Sequence, residues 1–254
     1  FGTMCKPLHP GRAAAIGLQA ARLASRGFTS NPAILDVEQG FAATQSESVN
    51  PAAALVDPPG GFYLLQTLFK YHAACYLTHS SIEASNMLRR EFALQANAIR
   101  KVTLSVDEGH LRVCNIEKPT TGLEVKFSLR ATNALALLGE NTASDATYSD
   151  TTARRGEVID LTSKVEVATW RKKSHTLSEV AVHLDDGRVL RKEFDVGIPM
   201  TDLVAQGQSL TQKFMGLAEP AIGAARARQV ADATSKLGDV GNVADLMALV
   251  AKSN

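Results

Sequence analysis

From Gly11 the stretch GRAAAIGLQAARLASRG sets Ala14, Ile16, Gly17, Ala20, Ala21, Leu23 and Ala24 mainly on one helical face, with Gly27 as its C-cap residue. So many small residues predict tight helix-to-helix contact. Pro32 opens a second short helix, PAILDVEQGFAATQ, and the Ser, Asn and Pro-bearing stretch SESVNPAAALVDPPGG after it predicts a boundary near Pro58 to Gly61. Beyond it the period changes. FYLLQTLFK, apolar and aromatic, predicts a buried strand or short extended segment. SSIEASNMLRREFALQAN repeats apolar residues at Ile82, Met87, Leu88 and Phe92, an amphipathic helix with Ser80 or Ser81 as N-cap. RKVTLSV alternates around Val102, Leu104 and Val106, a half-buried strand. KFSLRATNALALLGE reads as a helix ended by Gly139, and GEVIDLTSKVEVATW as a helix from about Val158 running toward a strand. SEVAVHLDDGRVLRKEF alternates around Asp186-Gly187, a hairpin signal. After Pro199 helix formers return in DLVAQGQSLTQKFMGLAEP, IGAARARQVADATSKLG and NVADLMALV, separated by Pro220 and by Gly238 to Gly241.

A helical segment, an α+β stretch and a helical return predict the α+β class: a mostly helical domain of residues 1–60 and 198–254 carrying an α+β insert at residues 61–197. The length of 254 residues allows one large or two modest domains. Lys plus Arg number 27 against 26 Asp plus Glu, a formal charge of +1 that offers no field for a nucleic acid or an anionic membrane. Cys5, Cys75 and Cys114 show no CxxC spacing, so neither a disulfide framework nor a zinc knuckle is indicated, and a reducing cytoplasm is expected. No apolar run approaches the roughly 20 residues needed to span a bilayer and no signal-peptide pattern is present, which predicts a soluble protein. Phe1 stands where an initiator Met would, so an upstream portion of the native chain is expected.

Two stretches concentrate proton-handling groups. KYHAACYLTH holds Lys70, His72, Cys75 and His79 within residues 70–79, and GTMCKPLHPGRAA holds Lys6 and His9 in a turn feeding a helix N-terminus, where an anion, most naturally a carboxylate, is favoured. Histidine serves as acid or base near neutral pH and lysine neutralises substrate charge, so the two stretches are read as two walls of one active site. Taken singly, each His is also a common structural hydrogen-bonder, Lys6 a solvated lysine and Cys75 a small buried hydrophobe. The His spacing lacks an i, i+4 pair with a carboxylate ligand set, so no metal is expected.

The segments GTMCKPLHPGRAAAIGLQAARLASRGFT, FKYHAACYLTHSSIEA, GLEVKFSLRATNALALL, LDDGRVL and LTQKFMGLAEPAIG, in this order and spacing, resemble the C-terminal part of the MmgE/PrpD family. That family includes 2-methylcitrate dehydratase, cis-aconitate decarboxylase and iminodisuccinate epimerase. The resemblance implies a helical domain built from both chain ends with an inserted α+β lid domain, a homodimer, and no metal or organic cofactor. It implies a site between the two domains, with Lys6 at the lysine attributed to it, Lys70 at a second basic position, Cys75 where the decarboxylase branch has His, and His79 in a shared Thr-His pair. Two positions depart: Tyr76 stands where many members have Arg, and Ala131 where several have Tyr. Both could touch substrate. The reactions of the family share removal of a proton or a carboxylate at a carbon alpha or beta to substrate carboxylates. Lys6 and Lys70 would hold carboxylates, with His9 and Tyr76 beside them; His79, His72 or an upstream His would move the proton. The leading expectation is a 2-methylcitrate dehydratase-like hydro-lyase acting on a small di- or tricarboxylate. Epimerisation and decarboxylation stand as alternatives, and so does a catalytically incomplete fragment or interaction protein. Further acid/base residues are implied upstream, so the 254-residue chain by itself is expected not to turn over.

Overall fold

A computed structural model describes residues 2–170 and 174–251. They form two compact units, Met4–Thr67 and the chain from Leu68 onward together with the first residues.

In the first unit, helix α1 (Cys5–Ala24) begins before Gly11, so Lys6 and His9 lie in its opening turns rather than in a turn ahead of it. Pro7 is tolerated there because the first N–H groups of a helix have no intrahelical acceptor. Gly27, at φ +85°, ends the helix as predicted: the Phe28 N–H returns to the Leu23 carbonyl at 3.1 Å. None of the α1 residues is buried, so the tight contact predicted for its alanine face is not made within this unit. The helix predicted from Pro32 shrinks to α2 (Phe41–Gln45), because the chain doubles back at Gly40. A Cβ at Gly40 would stand 2.4 Å from the Ile34 carbonyl oxygen, and the Phe41 N–H bonds that same oxygen at 2.8 Å. A short helix α3 (Pro51–Ala54) follows, with Asn50 accepting from the Ala53 N–H. The buried strand expected of FYLLQTLFK is absent. Tyr63–Gln66 is one 3-10 turn, and Phe62, Tyr63, Leu64 and Leu65 are exposed. Its backbone is satisfied locally, by Leu65 N–H to the Phe62 carbonyl at 3.0 Å and Thr67 N–H to that of Leu64 at 3.1 Å, so no partner strand is recruited.

The second unit is α+β. Its described residues form a four-stranded sheet ordered β2-β1-β3-β4, from β1 (Ile99–Asp107), β2 (Val165–Trp170), β3 (Leu177–Leu184) and β4 (Val189–Asp195). β2 runs parallel to β1, whereas β3 is antiparallel to β1 and β4 antiparallel to β3. Val102, Leu104 and Val106 are fully buried, as their alternation predicts, and the register sets Val102 between Val165 and Val182 and Leu104 between Val167 and Val180. Each such side chain contributes about 1.5–3 kcal/mol of burial energy. The Asp186-Gly187 hairpin is present, with Gly187 at φ +87° and the Leu184 N–H bonded to the Arg188 carbonyl at 2.9 Å.

Helix α4 (His79–Glu91) packs on β3, β4 and helix α6 (Leu129–Leu138). Thr78 is the N-cap residue of α4, and Ser80 and Ser81 lie inside its first turn, because their hydroxyls serve other acceptors: Ser81 donates to the Thr78 carbonyl at 2.9 Å and Ser80 to the carbonyl of Thr176. Ahead of α6, helix α5 (Gly122–Val125) is closed by a capping box of Thr121 and Glu124, and α6 itself ends at Gly139 with φ +83°. Helices α7 (Asp150–Ala153) and α8 (Gly156–Ser163) lead into β2. Of the last helices, α9 (Leu203–Ile222) passes through Pro220 and breaks only at Gly223, where φ is +82°. Proline forfeits one N–H bond of the final turn there, and the glycine conformation sets the end. Helices α10 (Ala224–Ser235) and α11 (Val243–Val250) follow. No helix among the described residues is long and apolar enough to cross a membrane.

Candidate active site

The chain enters the site through Tyr71 and leaves it along α4. Two backbone bonds fix the approach, Ala73 N–H to the Thr142 carbonyl and Cys75 N–H to the Lys126 carbonyl, each 2.9 Å. The 3-10 turn Tyr76–Thr78 then delivers His79 as the first residue of α4, so residues separated by a loop and a turn converge.

His72 is held at both ends. Its Nε2 lies 3.0 Å from Glu83 Oε1 and its Nδ1 2.8 Å from the Thr142 hydroxyl. A carboxylate only accepts, so Nε2 carries the proton and Nδ1 takes the Thr142 hydroxyl hydrogen. With both nitrogens engaged, the ring is fixed in place.

His79 is its opposite. The side chain is fully buried and neither ring nitrogen has a hydrogen-bond partner among the described residues. Its ring meets that of His72 edge-on at 4.9 Å between centroids and that of Tyr76 at 5.3 Å. Burial first, then the neighbouring His72 and Lys70, push its pKa down to about 2; the Ala74 backbone pulls weakly the other way and Lys213 adds to the depression. At neutral pH His79 is therefore an uncharged imidazole with a lone pair that nothing engages.

Of the two cations beside it, Lys70 is local and Lys213 comes from far along the chain. Lys213 on α9 donates to the backbone carbonyl of Lys70 at 2.5 Å, and burial lowers its pKa. On the other flank the Tyr76 hydroxyl donates to the Val196 carbonyl at 2.6 Å, and its pKa is raised by burial, then by Asp195 and Tyr71. Ser80 accepts the Val196 N–H at 3.1 Å. Asp195 anchors this corner: burial pushes its pKa up, but hydrogen bonds from Thr176, Ser174 and the Gly197 N–H outweigh it and hold the carboxyl below its ordinary range.

Lys70, His72, Tyr76 and His79 are thus brought together in the second unit. Cys75 lies in the hydrophobic core, where it hydrogen-bonds the Cys114 thiol; that bond and burial push the Cys114 pKa upward. Lys6 and His9 are exposed on α1, in the first unit. A polar cavity of about 340 Å³ borders the His72–Glu83 pair. A second cavity, of about 550 Å³, lies elsewhere; Val125, Ala153, Val158 and Val165 line it, it holds none of these histidines, and its one carboxylate, Glu117, is paired with Arg130 at 3.3 Å. Among the described residues no set of three His, Cys, Asp or Glu is placed to hold a metal.

The match to known proteins falls on this unit. The MmgE/PrpD C-terminal domain matches residues 72–237, from His72 through α9 and α10. The chain belongs to the MmgE/PrpD family. Cis-aconitate decarboxylase of Homo sapiens is 29% identical over 176 residues, 65% of this chain and 35% of that protein. The chain therefore spans about a third of the length of the curated relative it matches. Within this MmgE/PrpD chain, Lys213, Glu83 and Thr142 are the site residues that sequence reasoning missed. Lys213 lies inside the LTQKF segment that helps carry the family resemblance, and Glu83 stands one helical turn after His79; both signals were present. Thr142 had none.

Proposed function

We propose that this MmgE/PrpD family member is a lyase or isomerase that removes a proton next to a carboxylate of a small di- or tricarboxylate, with 2-methylcitrate dehydratase-like loss of water as the leading reaction. One observation carries the reading: a buried, neutral His79, with no well-formed hydrogen bond to either nitrogen and the Ala74 backbone as its one weak polar contact, stands beside the cations Lys70 and Lys213. A structural histidine in a core satisfies its nitrogens, whereas a base needs a lone pair kept available.

The electrostatics supply the sequence of events. Without substrate, burial first, then His72 and the lysines Lys70 and Lys213, keep His79 a weak base. Substrate carboxylates entering against Lys70 and Lys213 cancel that positive charge, so the proton affinity of His79 rises when there is a proton to take. The negative charge left on the substrate carbon and its carboxylate is stabilised by the same lysines. Cleavage of the carbon–oxygen bond on the neighbouring carbon then completes a dehydration: the proton that His79 took is handed to the departing hydroxyl, which leaves as water and returns the ring to its neutral form. His72, held by Glu83 and Thr142, keeps the His79 ring in place and acts as a positioning residue. A substrate-binding role for Tyr76 is supported by its ring lying 5.3 Å from that of His79. A carboxylate-holding role for Lys6, a contribution from His9 and Cys75, the helical domain with its inserted lid, and a homodimer rest on the family resemblance. Decarboxylation is the second reading, favoured by the name of the human relative.

The test is proton NMR of the full-length protein in heavy water with a panel of di- and tricarboxylates, which detects exchange beside a carboxylate even without net turnover. His79→Gln should lower exchange and turnover by about a hundredfold or more. Lys6→Ala should weaken binding by roughly tenfold to a hundredfold, the worth of a charge-assisted hydrogen bond, with the melting temperature unchanged. Undiminished exchange in His79→Gln would remove His79 from the chemistry.

A further inference from the structure

The polar cavity beside His72 has a charge imbalance that the proposed reaction does not use. Four ionic side chains line it: Glu83, Glu140, Arg89 and Arg90. Glu140 is neutralised by Arg155 at 2.7 Å, and Glu83 accepts a hydrogen bond from the His72 ring at 3.0 Å, so two guanidinium charges face one carboxylate charge that no cation cancels. Neither arginine makes an ion pair or a side-chain hydrogen bond among the described residues, and the Nε of Arg89 is buried without a partner. A surface arginine would leave its guanidinium in water. That of Arg89 instead lies close to the end of α6, where a Cβ added to Gly139 would stand 3.0 Å from its Cζ and Nη1. The Nε edge of the fork is thus packed against α6 with its donor unused. Glycine at φ +83° both ends the helix and leaves the space the guanidinium occupies.

We propose that this cavity is a second binding site, for a small polyanion bearing carboxylate or phosphate groups, distinct from the place where the proton is moved. The planar arginine fork matches the paired oxygens of either group. Asn86 and Gln212 line the same cavity and supply amide donors, and its volume of about 340 Å³ suits a molecule of a few carbons with two or three acidic groups. The reacting ring lies outside it: the cavity is lined by His72 but not by His79. His72 thus stands between the two sites, its Nε2 on Glu83 at the cavity wall and its ring against His79.

Nitrogen-15 spectra of the arginine Nε–H groups test this on the full-length protein, with the Arg89 signal assigned by its loss in Arg89→Lys. Tricarballylate and inorganic phosphate are titrated separately. A saturable movement of the Arg89 signal with either anion supports the site, and the anion that moves it identifies the group recognised. Arg90→Gln and Gln212→Leu, which leave the Arg89 packing intact, should each weaken that titration by about threefold to tenfold. Lys213→Met should leave it unchanged. No saturable movement with either anion overturns the proposal, and so does a titration lost in Lys213→Met but retained in Arg90→Gln, which would put the anion at the reaction site instead.

Discussion

Replacing His79 by leucine should make the protein more stable and inactive at once. The side chain is fully buried and neither ring nitrogen makes a well-formed hydrogen bond, so wild type carries a desolvation cost of poorly satisfied polar atoms, about 1–3 kcal/mol, which an apolar group of similar volume does not. A second signature lies in pH. The folded pKa of His79 is about 2 against an ordinary 6.5, so below pH 6.5 the unfolded chain binds a proton that the native state refuses. Stability is therefore complete above pH 6.5 and declines steadily as the pH falls toward 2. At about pH 5, some 1.5 units below the unfolded value, the loss attributable to this one ring is ~2 kcal/mol at ~1.36 kcal/mol per unit. His110 also has its pKa lowered, chiefly by burial, and contributes acid sensitivity of its own, but it is present in both proteins and cancels in their difference. Urea unfolding followed by circular dichroism and by the single tryptophan, Trp170, at neutral pH and at the acidic value, measures both effects. His79→Leu should unfold at higher urea at neutral pH and lose ~2 kcal/mol less than wild type on acidification. A variant less stable than wild type at neutral pH, with the same acid slope, would refute the argument and make His79 a satisfied structural residue.

Glu83→Gln keeps an acceptor for His72 Nε2 but removes its charge; turnover should fall by about tenfold with KM little changed, since the ring is less firmly held while substrate contacts persist. Equal losses in kcat and in substrate binding would instead place Glu83 against the substrate. Gly122→Ala should cost about 3 kcal/mol in urea unfolding, because the new Cβ would stand 1.9 Å from the Tyr148 carbonyl oxygen, a backbone atom that cannot swing away. A change of under about 0.5 kcal/mol would mean that the α5 turn and the Tyr148 strand of backbone part without strain.

What could be read from the sequence was what short-range rules determine. The alternation of Val102, Leu104 and Val106, the Asp186-Gly187 turn and the glycine at the end of α6 each depend on a few neighbouring residues, and each appears where expected. FYLLQTLFK failed because apolar composition records the appetite of a segment for burial and not whether a partner strand exists. Pro220 failed in the opposite sense: a proline near a helix end is compatible with the helix, and Gly223 decides the stop. The site divides the same way. Lys70, His72, Tyr76 and His79 were conspicuous because they crowd into residues 70–79, but their partners arrive from elsewhere. Thr142 reaches His72 across 70 positions and Lys213 reaches Lys70 across 143, so no local pattern announces them.

The bonds that close the site also set when it appears during folding. Tyr76 meets Val196 across 120 positions, Ser80 meets Thr176 across 96, and Lys213 meets Lys70 across 143, whereas the β3–β4 hairpin and α4 need only neighbouring sequence. Closing such long loops costs chain entropy before any contact compensates for it, so the local elements come first and the cluster around His79 last. A ribosome-bound chain that has emerged only as far as β4 lacks Lys213 altogether, holding a buried-histidine precursor with no proton chemistry. Refolding from urea should accordingly recover secondary structure before it recovers activity, and a cut in the backbone between β4 and α9 should abolish the second while sparing most of the first.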